Sequence, residues 1–211
     1  MYVRDFMSKN LVLITPESSL ADAFALMKEN RIRRLPVVDG ENLVGIVAYS
    51  DLLKASPSQA TSLSIWEINY VLSKLKIKDI MKTEVITVDA DEPIEKAALL
   101  MQKHDIGALP VLEGGRLAGI ITESDIFDAF IDIMGMGSPG TRITVEIEDR
   151  PGQILGIIKP ISEAGINICS IATFHAEDRQ ELVLRIDTEE PDPIIEKLRL
   201  SGIKIIRYDI F

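Results

Sequence analysis

The sequence predicts an α/β module made of two β-α-β-β-α units, followed by a smaller α+β domain of order β-α-β-β-α-β. The first part of this prediction comes from an internal repeat, in which residues 3–55 match residues 77–129 without a gap. The second part comes from a change of hydrophobic pattern after the turn-forming run Ser138-Pro139-Gly140. A chain of 211 residues has room for both parts.

Identical short motifs recur at equivalent places of the two copies. Leu35-Pro36-Val37 returns as Leu109-Pro110-Val111, Gly45-Ile46 returns as Gly119-Ile120, and Ser50-Asp51 returns as Ser124-Asp125. Two copies are too few for a solenoid. We therefore expect two similar units that pack across a pseudo-two-fold axis.

Each copy is predicted to begin with a short apolar strand, over residues 11–14 or 85–88. A helix follows, because apolar residues recur at the spacing of one helix face. These residues are Leu20, Ala23, Phe24 and Met27 in copy one and Ile94, Ala97, Ala98 and Met101 in copy two. Two strands around a turn come next, and a second helix begins near Asp51 or Asp125.

The connector between the copies, residues 56–76, is expected to contain an apolar helix that includes Trp66. This helix is predicted to pack against the module or against a second subunit. A ligand role for Trp66 is the alternative.

Apolar and polar residues follow a different pattern over residues 141–211 than in the two copies. Ile143, Val145 and Ile147 predict a strand, and a helix face is predicted from Ile154, Leu155, Ile158 and Ile161. Two further strands, a helix and a last strand complete a ferredoxin-like order. The single cysteine, Cys169, is expected to lie on a buried strand, and a reactive thiol is the alternative.

Composition argues against several classes of protein. The net charge is −10 and no strong Lys/Arg cluster is present, so we expect no nucleic-acid partner. No apolar run approaches the ~18 residues that suggest a membrane span, and residues 1–5 lack the apolar stretch expected of a secretory signal. A cytoplasmic location is therefore predicted. His104 and His175 stand in no metal-ligand spacing, and neither a catalytic residue nor a metal site is predicted.

The repeated Leu-Pro-Val, Gly-Ile and Ser-Asp motifs resemble those of a pair of CBS domains, a Bateman module. The resemblance implies CBS repeats at residues 1–55 and 77–137. It also implies a disc-like module with two clefts between the repeats. Such clefts often hold AMP, ADP, ATP or another adenosyl ligand, and no cofactor is required.

Copy two carries the better match to the ribose-phosphate motif of this family, at Gly119, Thr122 and Asp125. The Asp carboxylate can accept both ribose hydroxyls, while the Thr hydroxyl and the N–H groups of the next helix can meet a phosphate. Thr122 and Asp125 also have the spacing of a helix capping box, and both roles stay open. Copy one has Ala48 in place of the hydroxyl, although Asp51 could still hold a ribose.

Copy one instead carries arginines before its Leu-Pro, where copy two has Gly107 and Ala108. In CBS nucleotide sensors such as the gamma subunit of AMP-activated kinase, basic residues at this place contact phosphates. By resemblance, copy two would hold adenosine and copy one would hold phosphate. Surface arginines that only meet solvent are the alternative. The predicted nucleotide-binding residues are Arg33, Arg34, Asp51, Ile86, Thr87, Ala108, Leu109, Pro110, Thr122 and Asp125.

The C-terminal region resembles an ACT domain over residues 141–211, through the runs at 149–155 and 165–168. ACT domains often bind amino acids at a dimer interface, which makes Asp149, Gly152 and Asn167 the candidate effector-binding residues. A tight turn at Gly152 and a backbone contact at Asn167 are the alternatives. A free sheet edge also favours self-association.

A CBS pair followed by an ACT domain resembles the bacterial acetoin-utilisation protein B family. This resemblance implies control of acetoin or acetyl-CoA-linked metabolism. We predict a non-catalytic regulator that senses an adenine nucleotide, forms a homodimer through its CBS modules or ACT sheets, and acts on a protein partner. The alternatives are an oligomerisation adaptor without a ligand and an unrecognised enzyme.

Overall fold

The computed structural model describes residues 1–57, 64–137, 139–176 and 179–211. By its internal contacts the chain divides into two units, Met1–Ile126 and Phe127–Phe211. Ser138 and most of the predicted loop after Ser56-Pro57 lie outside the described residues. The domain limits predicted from the sequence stay predictions.

The described elements of the first unit follow the order of the predicted repeat. They are α1 (Val3–Phe6), α2 (Leu20–Asn30), β1 (Arg34–Asp39), β2 (Asn42–Ala48), α3 (Tyr49–Ala55), α4 (Ile65–Lys74), a 3-10 turn (Ile77–Asp79), β3 (Val88–Asp89), α5 (Ile94–His104), β4 (Ala108–Glu113), β5 (Arg116–Thr122) and α6 (Glu123–Ile133), whose C-terminal part belongs to the second unit.

The first strand of each copy is shorter than predicted. Ile14 alone pairs, in a parallel bridge to Val37, and in copy two only β3 pairs with β4. Just before these predicted strands, Ser8 and Lys82 form antiparallel bridges to strands of the other copy.

The first residues of each copy pair with a strand of the other copy. The Ser8 N–H donates to Ile120 O at 2.9 Å, and the Ile120 N–H donates back to Ser8 O at 3.0 Å. The same pair of bonds joins Lys82 and Ile46, at 2.9 and 3.0 Å. These reciprocal bonds relate the copies by the expected pseudo-two-fold axis.

The repeated Gly and Met residues meet at these crossings. A Cβ on Gly119 would lie 2.6 Å from Met7 Sδ and 3.0 Å from the Ser8 carbonyl oxygen, and a Cβ on Gly45 would lie 2.7 Å from Met81 Sδ. Only glycine allows the first segment of the other copy to approach the strand so closely.

The predicted helix faces supply the core of the first unit. Leu20, Ala23 and Met27 are buried, while Phe24 is half-buried and its ring meets Tyr49 edge-on at 5.7 Å between centroids. The connector helix α4 packs Leu72 against this core. Trp66 does not pack against the module, because it lies on the outer face of α4 with 84% of its surface exposed.

The second unit has the predicted ferredoxin-like order. Its elements are β6 (Thr141–Ile147), α7 (Gln153–Glu163), β7 (Ile168–Ala176), β8 (Arg179–Ile186), α8 (Asp192–Leu200) and β9 (Ile205–Ile210). The four strands form one antiparallel sheet in the order β7-β8-β6-β9. One face of this sheet packs on the two helices.

Two sequence predictions for this unit are corrected by the structure. Helix α7 buries Ile157 and Ile161, and Leu155 is exposed because about 100° of rotation per residue turns it away from Ile157. Cys169 is exposed rather than buried. It lies on the edge strand β7, along which Ile171 is also exposed, whereas its neighbour Ile168 packs against the core.

We predict that Gly119→Ala lowers the free energy of unfolding by about 1–3 kcal/mol, because the new methyl group would overlap Met7. Urea unfolding followed by circular dichroism measures the change. Gly156→Ala is the control for adding a methyl group without a clash, since a Cβ there has no neighbour within 4 Å, and it should not lower stability because helix α7 favours alanine over glycine. Adding Met7→Ala should recover part of the loss, and equal stabilities of the two glycine variants would contradict the crossing.

A second prediction concerns the start of α2. The Ser19 hydroxyl and N–H donate to Asp22 Oδ2 at 2.7 and 2.9 Å, and these bonds lower the pKa of Asp22 below its ordinary value of 3.8. The carboxylate therefore stabilises the fold fully above that value and loses its contribution as pH falls through the lower folded-state pKa.

Asp22→Asn should accordingly lower the free energy of unfolding at neutral pH by a few tenths to about 1 kcal/mol. The deficit should shrink as pH falls through the lowered folded-state pKa of Asp22, because the native carboxyl then becomes neutral as well. Urea titrations at neutral pH and over a series of acidic pH values test this. Glu29→Gln on the same helix is the control, and a deficit that persists in acid would refute the assignment.

Candidate functional site

A cavity of about 620 Å³ lies between the two copies, within the size range of small-molecule sites. Copy one lines it with Ser8, Asn10, Leu11, Val12, Arg31, Ile32, Arg33, Arg34 and Pro36, and copy two lines it with Gly107, Ile120, Thr122, Glu123, Ser124 and Asp125. The cavity thus brings the predicted arginines of one copy to the predicted Thr122 and Asp125 of the other. We call it the first cavity.

Asp125 is positioned by Thr122, the last residue of β5. The Thr122 N–H and hydroxyl both donate to Asp125 Oδ2, each at 2.7 Å. The capping contact considered from the sequence is therefore present. An ionised carboxylate has two acceptor oxygens, so Oδ1 can still accept from a ligand.

The first turn of α6 adds donors to the same wall. The N–H groups of Ser124 and Asp125 have no earlier helical turn to bond. The positive end of the helix dipole at this place favours an anion. The Glu123 N–H differs, because it donates to Gly107 O at 3.3 Å.

The charges around the first cavity favour an anionic ligand. Three arginines line it against two carboxylates, Glu123 and Asp125. This balance contrasts with the net charge of −10 of the whole chain. Arg31 belongs to this set but was not among the residues predicted from the sequence. Its place beside Arg33 and Arg34 in the sequence could have identified it as a candidate.

A second cavity, of about 180 Å³, is the counterpart across the pseudo-two-fold axis. It is lined by Arg34, Ile46, Ala48, Ser50, Asp51, Lys82, Glu84, Val85, Ile86, Asp105, Ile106, Gly107, Ala108 and Pro110. The Ala48 N–H donates to Asp51 Oδ2 at 3.0 Å, so the backbone half of the contact persists without the hydroxyl. Three carboxylates against two cations make this lining less suited to an anion.

The structure divides the nucleotide site expected from the sequence. Ile86, Ala108 and Pro110 line the second cavity with Asp51, not the first cavity with Asp125. Leu109 is fully buried in the core. Thr87 lines a separate shallow cavity of about 270 Å³.

The physical reason for this division is the exchange between the copies. The exchange places the chain before β1 of copy one opposite the helix start of copy two. The apolar wall beside Asp125 is consequently Val12, Ile32 and Pro36. Val12 was not among the residues predicted from the sequence. Its equivalence to Ile86 in the repeat is the observation that could have identified it.

Arg34 and Gly107 line both cavities and mark the boundary between them. A Cβ on Gly107 would lie 2.5 Å from Arg34 Nη2 and 2.5 Å from Glu123 Oε2. The absence of a side chain at this position therefore lets charged groups of both copies approach one another.

The predicted effector residues of the second unit are only partly together. Asp149 and Gly152 line a shallow cavity of about 410 Å³ with the residues between and after them. Gly152 has a φ of 87°, which favours glycine. Asn167 is not among the lining residues, and its N–H donates to Asp187 Oδ1 at 3.0 Å.

Both histidines, His104 and His175, are exposed. Over the described parts of the chain, no group of His, Cys, Asp and Glu side chains is placed to hold a metal ion. In the same parts, no helix combines the length and apolar character that a bilayer span requires.

The fold and the paired cavities define a module made of two repeats with a cavity on each side of their boundary. The CBS domain model matches residues 3–58 and 77–132, and the TTHA0829-like ACT domain model matches residues 139–208. The chain belongs to the CBS domain family and carries a C-terminal TTHA0829-like ACT domain.

Solved structures with the same module are similar over the CBS pair. A Vibrio cholerae protein named for acetoin utilization (AcuB) is 32% identical, with a TM-score of 0.53 over 64% of this chain and 94% of its own. The CBS pair of protein MJ0100, in complex with methylthioadenosine and S-adenosyl-L-methionine, is 32% identical, with a TM-score of 0.51 over 62% and 99%. CBSX2, in complex with AMP, is 31% identical, with a TM-score of 0.54 over 63% and 97%.

Among curated relatives, protein MJ1225 of Methanocaldococcus jannaschii is 35% identical over 61% of this chain. The match spans 46% of that relative, so this chain corresponds to about half of its length.

We predict that the Gly107→Ala variant still folds, because the new methyl group displaces only the ends of the Arg34 and Glu123 side chains, and that it binds AMP several-fold more weakly than the unchanged chain if these cavities hold the nucleotide. Calorimetric titration measures the affinity, and thermal unfolding confirms the fold. Gly137→Ala, with no neighbour within 4 Å of its Cβ, is the control. An unchanged affinity would show that Gly107 does not shape the binding surface.

Proposed function

We propose that this protein is a non-catalytic regulator that binds an adenine nucleotide, AMP, ADP or ATP, in the first cavity. The observation that carries the proposal is the convergence of Arg31, Arg33 and Arg34 with Thr122 and Asp125 around one space of about 620 Å³.

Each group has a distinct part in this proposal. The free oxygen of Asp125 accepts hydrogen bonds from the ribose hydroxyls. Val12 and Pro36 flank the adenine. The arginines, the Thr122 hydroxyl and the first N–H groups of α6 meet the phosphates.

The second cavity has a lesser part. Asp51 accepts the ribose hydroxyls beside Ile86 and Ala108, but the small volume and excess of carboxylates disfavour a phosphate chain. The adenosyl ligands held by CBSX2 and the MJ0100 CBS pair support an adenosyl ligand here.

The ACT domain is proposed to respond to the CBS pair by dimerising or by binding a small effector. Asp149 and Gly152 line its candidate surface, and Asn167 contributes only if a second copy or a ligand brings it near. Coupling requires that the nucleotide bind two arrangements of the protein unequally.

For the cellular role, we propose a cytoplasmic regulator of a partner protein in acetoin or acetyl-CoA-linked metabolism. The name of the Vibrio cholerae neighbour supports this pathway. The predicted absence of membrane and nucleic-acid partners is part of the same proposal.

The test is calorimetric titration of AMP, ADP, ATP, S-adenosylmethionine and adenosine into the full chain. Asp125→Ala should abolish binding, whereas Asp51→Ala, which removes the equivalent helix cap, should leave the high-affinity event in place. Arg33→Ala should weaken ATP binding about ten-fold or more and adenosine binding far less. Arg116→Ala, a change at an exposed arginine outside the cavities, is its control.

Equal losses of ATP and adenosine affinity in Arg33→Ala would refute the phosphate assignment. If no adenosyl ligand gives a binding heat, the proposal of a nucleotide sensor is wrong. The oligomerisation adaptor without a ligand then becomes the favoured function. Turnover of a bound nucleotide would overturn the non-catalytic part of the proposal.

A further inference from the structure

A third cavity, of about 400 Å³, adjoins the first cavity on the side of copy one. Arg31, Ile32 and Arg33 line both cavities, so these residues form a wall that the two spaces share. Arg31 and Arg33 are exposed at this wall. A guanidinium at the end of a long, exposed side chain can therefore meet a ligand in either space. We call the third cavity the side pocket.

The floor of the side pocket is aromatic. The Phe24 ring meets the Tyr49 ring edge-on at 5.7 Å between centroids, and Tyr49 is 42% exposed while Phe24 is half-buried. The Tyr49 N–H donates to Arg33 O at 2.8 Å, and this bond joins the floor to the shared wall. An exposed ring held in place in this way offers part of its surface to a planar group of a ligand.

The charges of the side pocket favour an anion. Lys28 joins Arg31 and Arg33 in its lining, and no carboxylate is among the described residues that line it. Lys28 lines the side pocket but not the first cavity. A phosphate chain that leaves the first cavity along the shared wall would thus meet a further cation beside the aromatic floor.

The side chains of the side pocket are not repeated in copy two, although the backbone bond is. The Glu123 N–H donates to Gly107 O at the place where Tyr49 bonds to Arg33 in copy one. At the places of the two aromatic rings and the three cations, copy two has Ala98, Gln102, Asp105, Gly107 and Glu123. The repeated fold therefore does not require the rings or the cations.

We propose that the first cavity and the side pocket together bind one dinucleotide, that is, two nucleosides joined through a chain of phosphates. The inference rests on the proposed function, because it places the adenosine end in the first cavity at Asp125. The phosphate chain passes along Arg31 and Arg33, and the second base stacks on Tyr49. Stacking on an aromatic side chain tolerates different bases, so the side pocket specifies a planar ring and not a particular base.

A dinucleotide uses both kinds of group in the side pocket. The terminal phosphates of ATP can reach Lys28, but ATP has no second planar group to place on Tyr49. A purely apolar ligand would not use the three cations. The phosphates and the second ring of a dinucleotide follow one another along one molecule, in the order in which the cations and the aromatic floor follow the first cavity.

The test is calorimetric titration of the full chain with ligands that differ in the second nucleoside or its base. Diadenosine diphosphate and NADH are each compared with ADP-ribose, which has the same two phosphates and second ribose but no second ring. Diadenosine tetraphosphate is compared with adenosine tetraphosphate, and AMP is the reference for the first cavity. At least one dinucleotide should bind about five-fold or more tightly than its partner ligand.

These titrations decide the matter on the unchanged chain. If AMP binds and no dinucleotide exceeds its partner ligand, the dinucleotide inference is wrong and the nucleotide sensor stands. If neither AMP nor any dinucleotide binds, the proposed function is wrong as well. A gain for diadenosine tetraphosphate alone supports the proposal with the longer phosphate chain, and a gain for NADH supports it with two phosphates.

Substitutions in the side pocket then locate the second base. Tyr49→Ala should remove most of the preference for the dinucleotide, and Tyr49→Phe should keep it because the ring remains. Tyr70→Ala, at an exposed tyrosine of α4, is the control. Lys28→Ala should reduce the same preference, with Lys103→Ala at an exposed lysine of α5 as its control. Thermal unfolding confirms that each variant folds. A preference that persists in full in Tyr49→Ala would place the second base elsewhere and overturn the proposal.

Discussion

The reciprocal crossing of the two copies is the contact on which the rest of the first unit depends. Ser8 bonds to Ile120, and Lys82 bonds to Ile46, while Met7 passes over Gly119 where a side chain would not fit. These contacts hold the backbone of each copy at a fixed distance from the other. Each cavity has a defined size because this distance is set by main-chain hydrogen bonds and not by flexible side chains.

The crossing also determines which residues share a cavity. It places the chain leading into β1 of copy one opposite the start of α6, so that Val12 and Arg33 face Asp125. The two cavities consequently differ in charge, although they are built by equivalent segments. The first cavity has an excess of arginines and the second an excess of carboxylates because the copies differ at a few cavity-lining positions. The apolar core positions are similar in the two copies.

Much of the fold was predictable because it follows local rules. The α2 face at Leu20 and Met27, the turn between the two strands of each copy and the element order after residue 141 come from periodicity and turn chemistry. The division of the nucleotide site was not predictable, because Ile86 and Asp125 belong to the same copy in sequence but to different cavities in space. The exposure of Cys169 depends on the place of β7 at the edge of the sheet, which apolar neighbours such as Ile168 and Ile171 do not reveal in the sequence.

The helix starts after β2 and β5 show how the two repeats were free to diverge. Asp125 is held by a hydroxyl and a backbone N–H, and Asp51 is held by a backbone N–H alone. The second cavity therefore has no hydroxyl at Ala48 but keeps the main-chain cap at Asp51. After a gene duplication, such a position allows one copy to change its chemistry by single substitutions while the architecture inherited by both copies persists.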